Sequence, residues 1–591
     1  MKSFYRVPWL AAVLVILGLG CANSPTLTPL PQYEVQREKL KNTPPAPVPP
    51  KANIKASAVV PDAVRISPEK AVGYKNLPTT VTQIYDAPPR DLSILDVVTQ
   101  TLANNRTIKI EGYTLRIAEY QIPVSKGIYD LLVGGSAQYN RTETQASTAA
   151  FGSLPVTSSR TASGSLSLSQ LLPTGATFNF AYDVIHTSTM IPTLVAIPGG
   201  TGAFPFAIVG TTDREWQNRA TFGITQPLLR GFGPTVTNAN IRIAQLERQG
   251  TAADFQTQLE LSLQNALLTY WDLIGALEAY KVNVIAYSAA LDLLRINSAK
   301  LAAGVVPRTD VLQAEAAAED RRNLLIQARE LVRNTEDQLK RQIFLQEGRP
   351  LWESEIRPTQ PIGWREMDVD LDKTIAAALE LRPELRRDRS NIAQNDVNLK
   401  VARNNLLPQL NAFGNVQPNG LDQTYGRSFD TMSDANYTNY TAGLQFQYPL
   451  QNRSARYQFK QAGTRHAQAE EQLRDLQDQI TLDVRLAVRD LRTARDRITV
   501  TQSQIRAEEV KLAAETRRYE VGISTAYQVL QFQGDLANAQ VSHIRAVLDY
   551  NQAAIRLERA QGTLLRTYGV QVAGAELNPS APPVLFPIGL N

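Results

Sequence analysis

Apolar residues recur along this chain with two different periods, and the points where the period changes divide it into elements. Leu95, Val98 and Leu102, then Ile108, Leu115 and Ile122, stand at helical spacing and predict a helix from Leu92 to about Tyr129. From Leu131 the period becomes two. Val133, Gly135, Ala137 and Tyr139 alternate with polar residues, Leu166 and Leu168 precede the turn Pro173-Thr174-Gly175, Phe178, Phe180 and Tyr182 follow it, and Phe222 and Ile224 close the region. The alternating partners are mostly Ser, Thr, Asn and Gln, and no second apolar layer follows. That is the pattern of a membrane barrel with lipid outside and water within; a soluble sheet with one buried face is the plainer alternative. The helical period then returns at great length. No proline occurs from Thr235 to Val306 or from Leu450 to Asn578, so two uninterrupted helices are permitted. The first would reach about 100 Å at 1.5 Å per residue. In the second, Leu473, Ile480, Ala487 and Ala494 repeat every seven residues, with Val484, Leu491, Ile498 and Ile505 four positions further on, an a/d seam. The charged run RDLRTARDR, Arg489 to Arg497, reads as a solvated face.

The chain also says nearly the same thing twice. GVVPRTDVLQ from Gly304 matches GISTAYQVLQ from Gly522, 218 residues on; LANNRTIKI from Leu102 matches LELRPELRR from Leu379, 277 on; ITQPLL from Ile224 matches FQYPLQ from Phe446, 222 on. Three blocks in one order indicate a tandem repeat. The changing offset places 55 extra residues in the first copy between its first helix and its proline, which predicts two additional strands there. It also removes four residues, about one turn, from the second long helix, so the same face still points inward. After Gly304 and Gly522 the chain must reverse, a glycine ending one helix and Pro307, or Ser524-Thr525, opening the next, with return helices to about Phe344 and Arg566. The polar stretch Gln417 to Asn436 reads as an exterior loop.

A net charge of +5 on 591 residues, with no basic run interleaved with aromatics, argues against nucleic acid as a partner. No phosphate-cradling glycine loop is present, His186, His466 and His543 are isolated from other ligand types, and no nucleophile or acid–base constellation is evident. The chain therefore reads as no enzyme, without a catalytic, cofactor or metal site. Its only cysteine, Cys21, follows a basic start (Lys2, Arg6) and an apolar core (Leu10 to Leu19), the layout of a signal peptide. LGLGC resembles a lipobox, which makes Cys21 the expected lipidation site; Ala22 after it, in place of aspartate, points to the outer membrane. The segment KNTPPAPVPPK belongs to an extended linker.

The duplicated order of helix, strands, proline, long helix and glycine tip resembles the TolC-type outer membrane factors from about Asp91 to Tyr568. The resemblance implies an α+β membrane protein, a trimeric β-barrel continued by a long α-helical coiled-coil periplasmic tunnel, built from two tandem repeats. The implied divisions are a signal peptide (1–20), a lipidated Pro-rich linker (21–90), a first repeat (91–346), an equatorial linker (347–369), a second repeat (370–568) and a Pro-rich tail (569–591). The implied function is a passive outer-membrane exit duct for efflux or type I secretion; its partners are two further copies of itself, a periplasmic adaptor, an inner-membrane transporter and outer-membrane lipid. A coiled-coil periplasmic adaptor or structural lipoprotein is the alternative, which lacks a reason for two sets of lipid-facing strands. In the family the tunnel is held shut near its tips. The matching gate positions are Thr309, Asp310, Tyr519 and Ser524, the last standing where the family has an arginine. Constriction positions fall on Gln528 and Gln531, where the family has acids, and the adaptor-docking tips on Gly304, Val305, Gly522 and Ile523. Asp310 and Tyr519 are expected to form the latch, or Asp310 merely to cap the return helix.

Overall fold

The structure, a computed structural model, describes residues 34–35, 89–144, 157–196, 206–343, 352 and 355–571. Cys21, the expected signal segment, most of the linker and all but the start of the C-terminal tail lie outside these residues.

One six-stranded antiparallel sheet carries all the long strands: β1 (Leu132–Thr144), β2 (Thr157–Leu171), β3 (Thr177–Ala196), β4 (Phe206–Pro227), β5 (Gln409–Asp422) and β6 (Tyr437–Gln447), neighbours in that order. The first copy contributes four strands and the second two, so the extra residues of the first copy are indeed an added hairpin within the sheet. The register explains the alternation in the sequence. Residues opposite one another in an antiparallel ladder share a face. Val133, Leu168, Phe180, Phe222, Val416 and Tyr440 are opposed in one unbroken row, while Ser136, Ser165, Asp183, Arg219 and Asn419 form a row on the other side. Over the part of the sheet nearer the helices, up to the level of Trp216, one face is thus mainly apolar and the other mainly polar.

The stretch between β5 and β6 is more ordered than its polarity led one to expect. Strand β5 continues to Asp422, and Tyr425–Ser433 is a helix. That helix lies so close to β5 that a Cβ on Gly420 would sit 1.8 Å from the Ser428 carbonyl oxygen. Ser428 Oγ donates to the Gly420 carbonyl at 2.8 Å, and Asn218 on β4 ties the helix to the neighbouring strands, its side chain donating to Ser428 Oγ at 3.0 Å and accepting from the Tyr182 hydroxyl of β3 at 2.8 Å. Polar side chains that looked solvated in the sequence are therefore consumed in holding the helix to the strands.

Away from the sheet run the helices. Numbered in chain order, the principal ones are α1 (Ile94–Asn104), α2 (Arg106–Lys126), α3 (Ala239–Ala302), α4 (Arg308–Ile343), α5 (Leu371–Leu381), α6 (Pro383–Asn404), α7 (Tyr425–Ser433, just described), α8 (Arg453–Glu520) and α9 (Ala526–Ala560). With 64 and 68 residues, α3 and α8 are each about 100 Å long. None of the described helices is long and apolar enough to cross a membrane. In α8 the a/d positions Ile480, Val484, Ala487, Leu491, Ala494, Ile498 and Ile505 are buried, and Leu473 packs at the margin of the same core. By contrast α3 is buried nearly all round, because α1, α2, α4, α6 and α9 all pack on it, whereas α8 receives α5, α6 and α9. The duplicated sequence does not produce duplicated environments.

The first helix of each copy is broken, a correction to the continuous helix expected from Leu92 to Tyr129. Asn105 leaves the helical region (φ −61°, ψ 124°), and 277 residues on Arg382 does the same (φ −62°, ψ 128°). The breaks are joints between rods. Asn105 Oδ1 accepts from the backbone of Thr107 (2.9 Å) and Ile108 (3.3 Å), capping α2, while its Nδ2 donates to the Gln342 carbonyl at 3.1 Å; Asn104 Nδ2 donates to the Ile343 carbonyl at 3.3 Å. One asparagine thus satisfies orphan donors at the start of α2 and an orphan acceptor at the end of α4. At the second joint Pro383 at the first helical position forces its predecessor extended, and the Arg382 guanidinium is held by Glu384 (2.8 Å) and Asp483 (3.0 Å). Near Arg382, burial pushes the carboxyl of Glu260 on α3 up to about 7, and burial does the same to Glu558 on α9. Two short pairings complete the belt: Arg90–Leu92 runs parallel to Ile356–Pro358, and Glu34–Val35 runs antiparallel to Val570–Gln571.

Candidate functional site

The two helix reversals at the end farthest from the sheet are built identically. At the first, Gly304 N donates to the Leu301 carbonyl (2.9 Å) and Val305 N to the Lys300 carbonyl (2.9 Å); at the second, Gly522 N donates to Tyr519 (3.2 Å) and Ile523 N to Arg518 (3.0 Å). These nested bonds are a Schellman ending, which requires a left-handed residue. Gly304 and Gly522 supply it with φ of 70° and 79°. The motif turns the chain within a few residues and leaves Val305 and Ile523 at the extremity, 70% and 75% exposed. Beneath them Ala290, Leu293, Ala314, Ala318, Tyr519, Ala526, Val529 and Leu530 form a small apolar core of their own, separate from the main one.

Of the gate positions, the structure brings together a different set from the one expected. Tyr519, at the end of α8, donates its hydroxyl to Asn297 Oδ1 on α3 at 2.7 Å, not to Asp310. Lys300 Nζ lies 3.9 Å above the Tyr519 ring centroid, a cation–π contact. Asp310 sits in the first turn of α4, where its carboxylate is 3.5 Å from the Thr309 hydroxyl and its backbone N–H donates to the Pro307 carbonyl. It favours the positive end of that helix but its side chain accepts no bond from the helix backbone among the described residues. Ser524 meets no aspartate; its hydroxyl lies against Glu515 and, at 2.7 Å, Gln528 Oε1. Thr525 caps α9 instead, accepting from Gln528 N at 3.4 Å. Gln528 and Gln531 are exposed one turn apart on α9, so they share a face. Asn297 was missed in the sequence because its counterpart 218 residues on is a different residue, Glu515, so the repeat does not single it out. Its burial, complete in the structure, has no local sign.

The three histidines have ordinary roles. His186 stacks on Trp216 with centroids 4.3 Å apart, His543 is buried against the Thr501 hydroxyl at 3.0 Å, and His466 faces Glu470 one turn away. Among the described residues no group of His, Cys, Asp or Glu side chains converges as metal ligands.

A six-stranded sheet with one apolar face, continued by rods about 100 Å long that end in paired reversals, defines a channel-forming protein of the outer membrane with a periplasmic extension. Residues 374–563 match the family described as outer membrane efflux protein. The chain is 24% identical over 379 residues, 64% of its length and 79% of the relative's, to the outer membrane efflux protein BepC of Brucella suis biovar 1 (strain 1330). Among solved structures it superposes on the Campylobacter jejuni CmeC outer membrane channel (TM-score 0.58, 17% identity, 80% of this chain and 86% of that one). It also superposes on the outer membrane protein VceC of Vibrio cholerae (TM-score 0.56, 14% identity, 79% and 96%). Over residues 374–563 the chain thus matches the outer membrane efflux proteins, and over most of its length it has the fold of the solved outer-membrane channels, the architecture of an outer-membrane exit duct.

Proposed function

We propose that three copies close the six-stranded sheets into one 18-stranded barrel and the helices into one tunnel, which passes solutes passively and docks its glycine tips to a periplasmic adaptor and inner-membrane pump. What carries this reading is an apolar stripe exposed along one helix. On α2, Ile110, Tyr113, Ile117, Tyr120 and Val124 follow a three–four spacing and are 42% to 68% exposed, while Ile108 and Leu115 on the other flank are buried in the protomer. A heptad stripe of large side chains is a helix-packing surface, and α8, with Leu482 and Leu486 exposed, has the flank to receive it from a neighbour. The sheet supports the same arrangement. Strands β1 and β6 are both edges and run in opposite directions, so β6 of one copy can pair antiparallel with β1 of the next, and closure removes edges that lipid could not satisfy.

In this assembly the Tyr519–Asn297 bond, which ties the α8–α9 pair to the α3–α4 pair, is the latch within each protomer. The glutamines at 528 and 531 leave the constriction uncharged, and lipidation of Cys21 tethers the N-terminus without being needed for the fold. Native mass spectrometry of the detergent-extracted protein tests the assembly: trimers are expected for the wild type and loss of trimer for Ile117→Asp. A monomeric wild type, or an Ile117→Asp protein as fully trimeric as wild type, would overturn it.

A further inference from the structure

Two residues beyond the aromatic row Tyr139, Ala162, His186 and Trp216, on the same apolar face and farther from the helices, the ladder sets Arg141 opposite Arg160, Arg160 opposite Ser188, and Ser188 opposite Arg214. All three arginines are exposed. Arg141 is paired with Glu143 on its own strand, whereas Arg160 and Arg214 have no carboxylate within salt-bridge distance among the described residues. Like charges directly opposite one another destabilise a sheet. The other face of the same sheet does not do this, since Arg219 there stands opposite Asp183, 3.4 Å away. The arginine row is therefore a charge excess maintained at one level of one face.

The level is informative. Below the row the face is apolar through four successive pleats of β3, from Phe178 to Val184. At its edge His186 stacks on Trp216, and Trp216 meets Tyr425 edge-on at 5.6 Å. Aromatic rings at the limit of an apolar band mark the membrane interface, so guanidinium groups one pleat farther out stand at headgroup height, on the side away from the periplasmic helices. Guanidinium groups bind phosphate through paired N–H donors, and clustered basic residues at this height recognise anionic lipid.

We propose that Arg141, Arg160 and Arg214 form a binding site for a phosphorylated glycolipid headgroup of the outer leaflet. The site rests on the reading of the apolar face as the barrel exterior. The test compares the wild type with Arg160→Gln/Arg214→Gln and, as a control at the periplasmic end of the sheet, Arg230→Gln. Each full-length protein is placed in phosphatidylcholine nanodiscs carrying diphosphoryl lipid A, monophosphoryl lipid A or neither, and retained lipid is measured by native mass spectrometry after detergent exchange. Wild type and Arg230→Gln should retain diphosphoryl lipid A, more than the monophosphoryl form, and the double variant should retain about ten-fold less. Equal retention by the double variant overturns the proposal, and so does displacement of the lipid by inorganic phosphate at equal concentration, which would mark a free-anion site. Trimer mass and bilayer insertion are read on the same samples: if they fail in the wild type, it is the barrel reading that falls; if they hold while lipid retention is unaltered, only the headgroup site does.

Discussion

The hydroxyl of Tyr519 donates to the side-chain oxygen of Asn297 at 2.7 Å across 222 residues of sequence, joining the end of α8 to the end of α3. Asn297 is fully buried and its Nδ2 has no partner among the described residues, so the bond to its Oδ1 is the side chain's one compensation there for leaving water. Removing one partner of a buried pair costs about 1–3 kcal/mol, since the other is left unsatisfied. Tyr519→Phe and Asn297→Ala are therefore expected to raise single-channel conductance in planar bilayers, and the double variant to do no more than either alone, as two halves of one contact should. Asp310→Ala should leave conductance unchanged. An opposite ranking, with Asp310→Ala opening the channel and Tyr519→Phe silent, would return the latch to the aspartate.

The joint at Asn105 is expected to be a weak point of the first repeat once its side chain is removed. Asn105→Ala deletes the α2 cap and orphans the Gln342 carbonyl, a combined loss of about 2–3 kcal/mol. Hydrogen exchange should quicken at the amides of Thr107 and Ile108 while the tips stay protected; uniform protection would show that water replaces the cap without cost.

Glu260 and Glu558 make stability depend on pH. Their folded pKa, about 7 against a reference of 4.5, is raised by burial. A raised carboxyl binds protons more tightly in the folded state, so stability is greatest below about pH 4.5 with respect to these groups, falls as pH rises through about 7, and is level above it. The difference corresponds to about 3 kcal/mol for each at most. Glu260→Gln should thus raise thermal stability at pH 8 more than at pH 5; a variant equally or less stable at both would reject the assignment.

Cys21→Ser is expected to change maturation and membrane placement while leaving trimer mass and melting unaltered, because the sheet supplies insertion by itself. Intact-mass analysis of the mature wild-type chain should show a diacylated or triacylated first residue. Finding unmodified Cys21 would reject lipidation.

Much of this protein was legible in its sequence because the relevant signals are local and periodic. Alternation at Val133 to Tyr139 and at Phe178 to Tyr182 fixes which side of each strand is apolar, since side chains alternate along any extended chain. The seam from Leu473 to Ile505 fixes the buried face of α8 in the same way, and Gly304 and Gly522 fix the reversals because few other residues tolerate positive φ. Even the added hairpin followed from the offset between copies. The joints were within reach too: Asn105 is a strong capping residue and Pro383 restricts Arg382, signals that the longer apolar stripe outweighed.

Other features were decided only when distant segments met. Nothing local distinguishes the buried stripe of α2, through Ile108 and Leu115, from the exposed one through Ile110 and Ile117, because both satisfy helical spacing. Nor does the sequence tell that Tyr519 turns to Asn297 when Asp310 is also a competent acceptor. A hydrogen bond is specified by a few tenths of an ångström and by the direction of a hydroxyl, and these depend on how two 100 Å rods lie against each other. Periodicity sets which face of a rod is buried; packing of the faces sets which polar atoms are left within reach of one another.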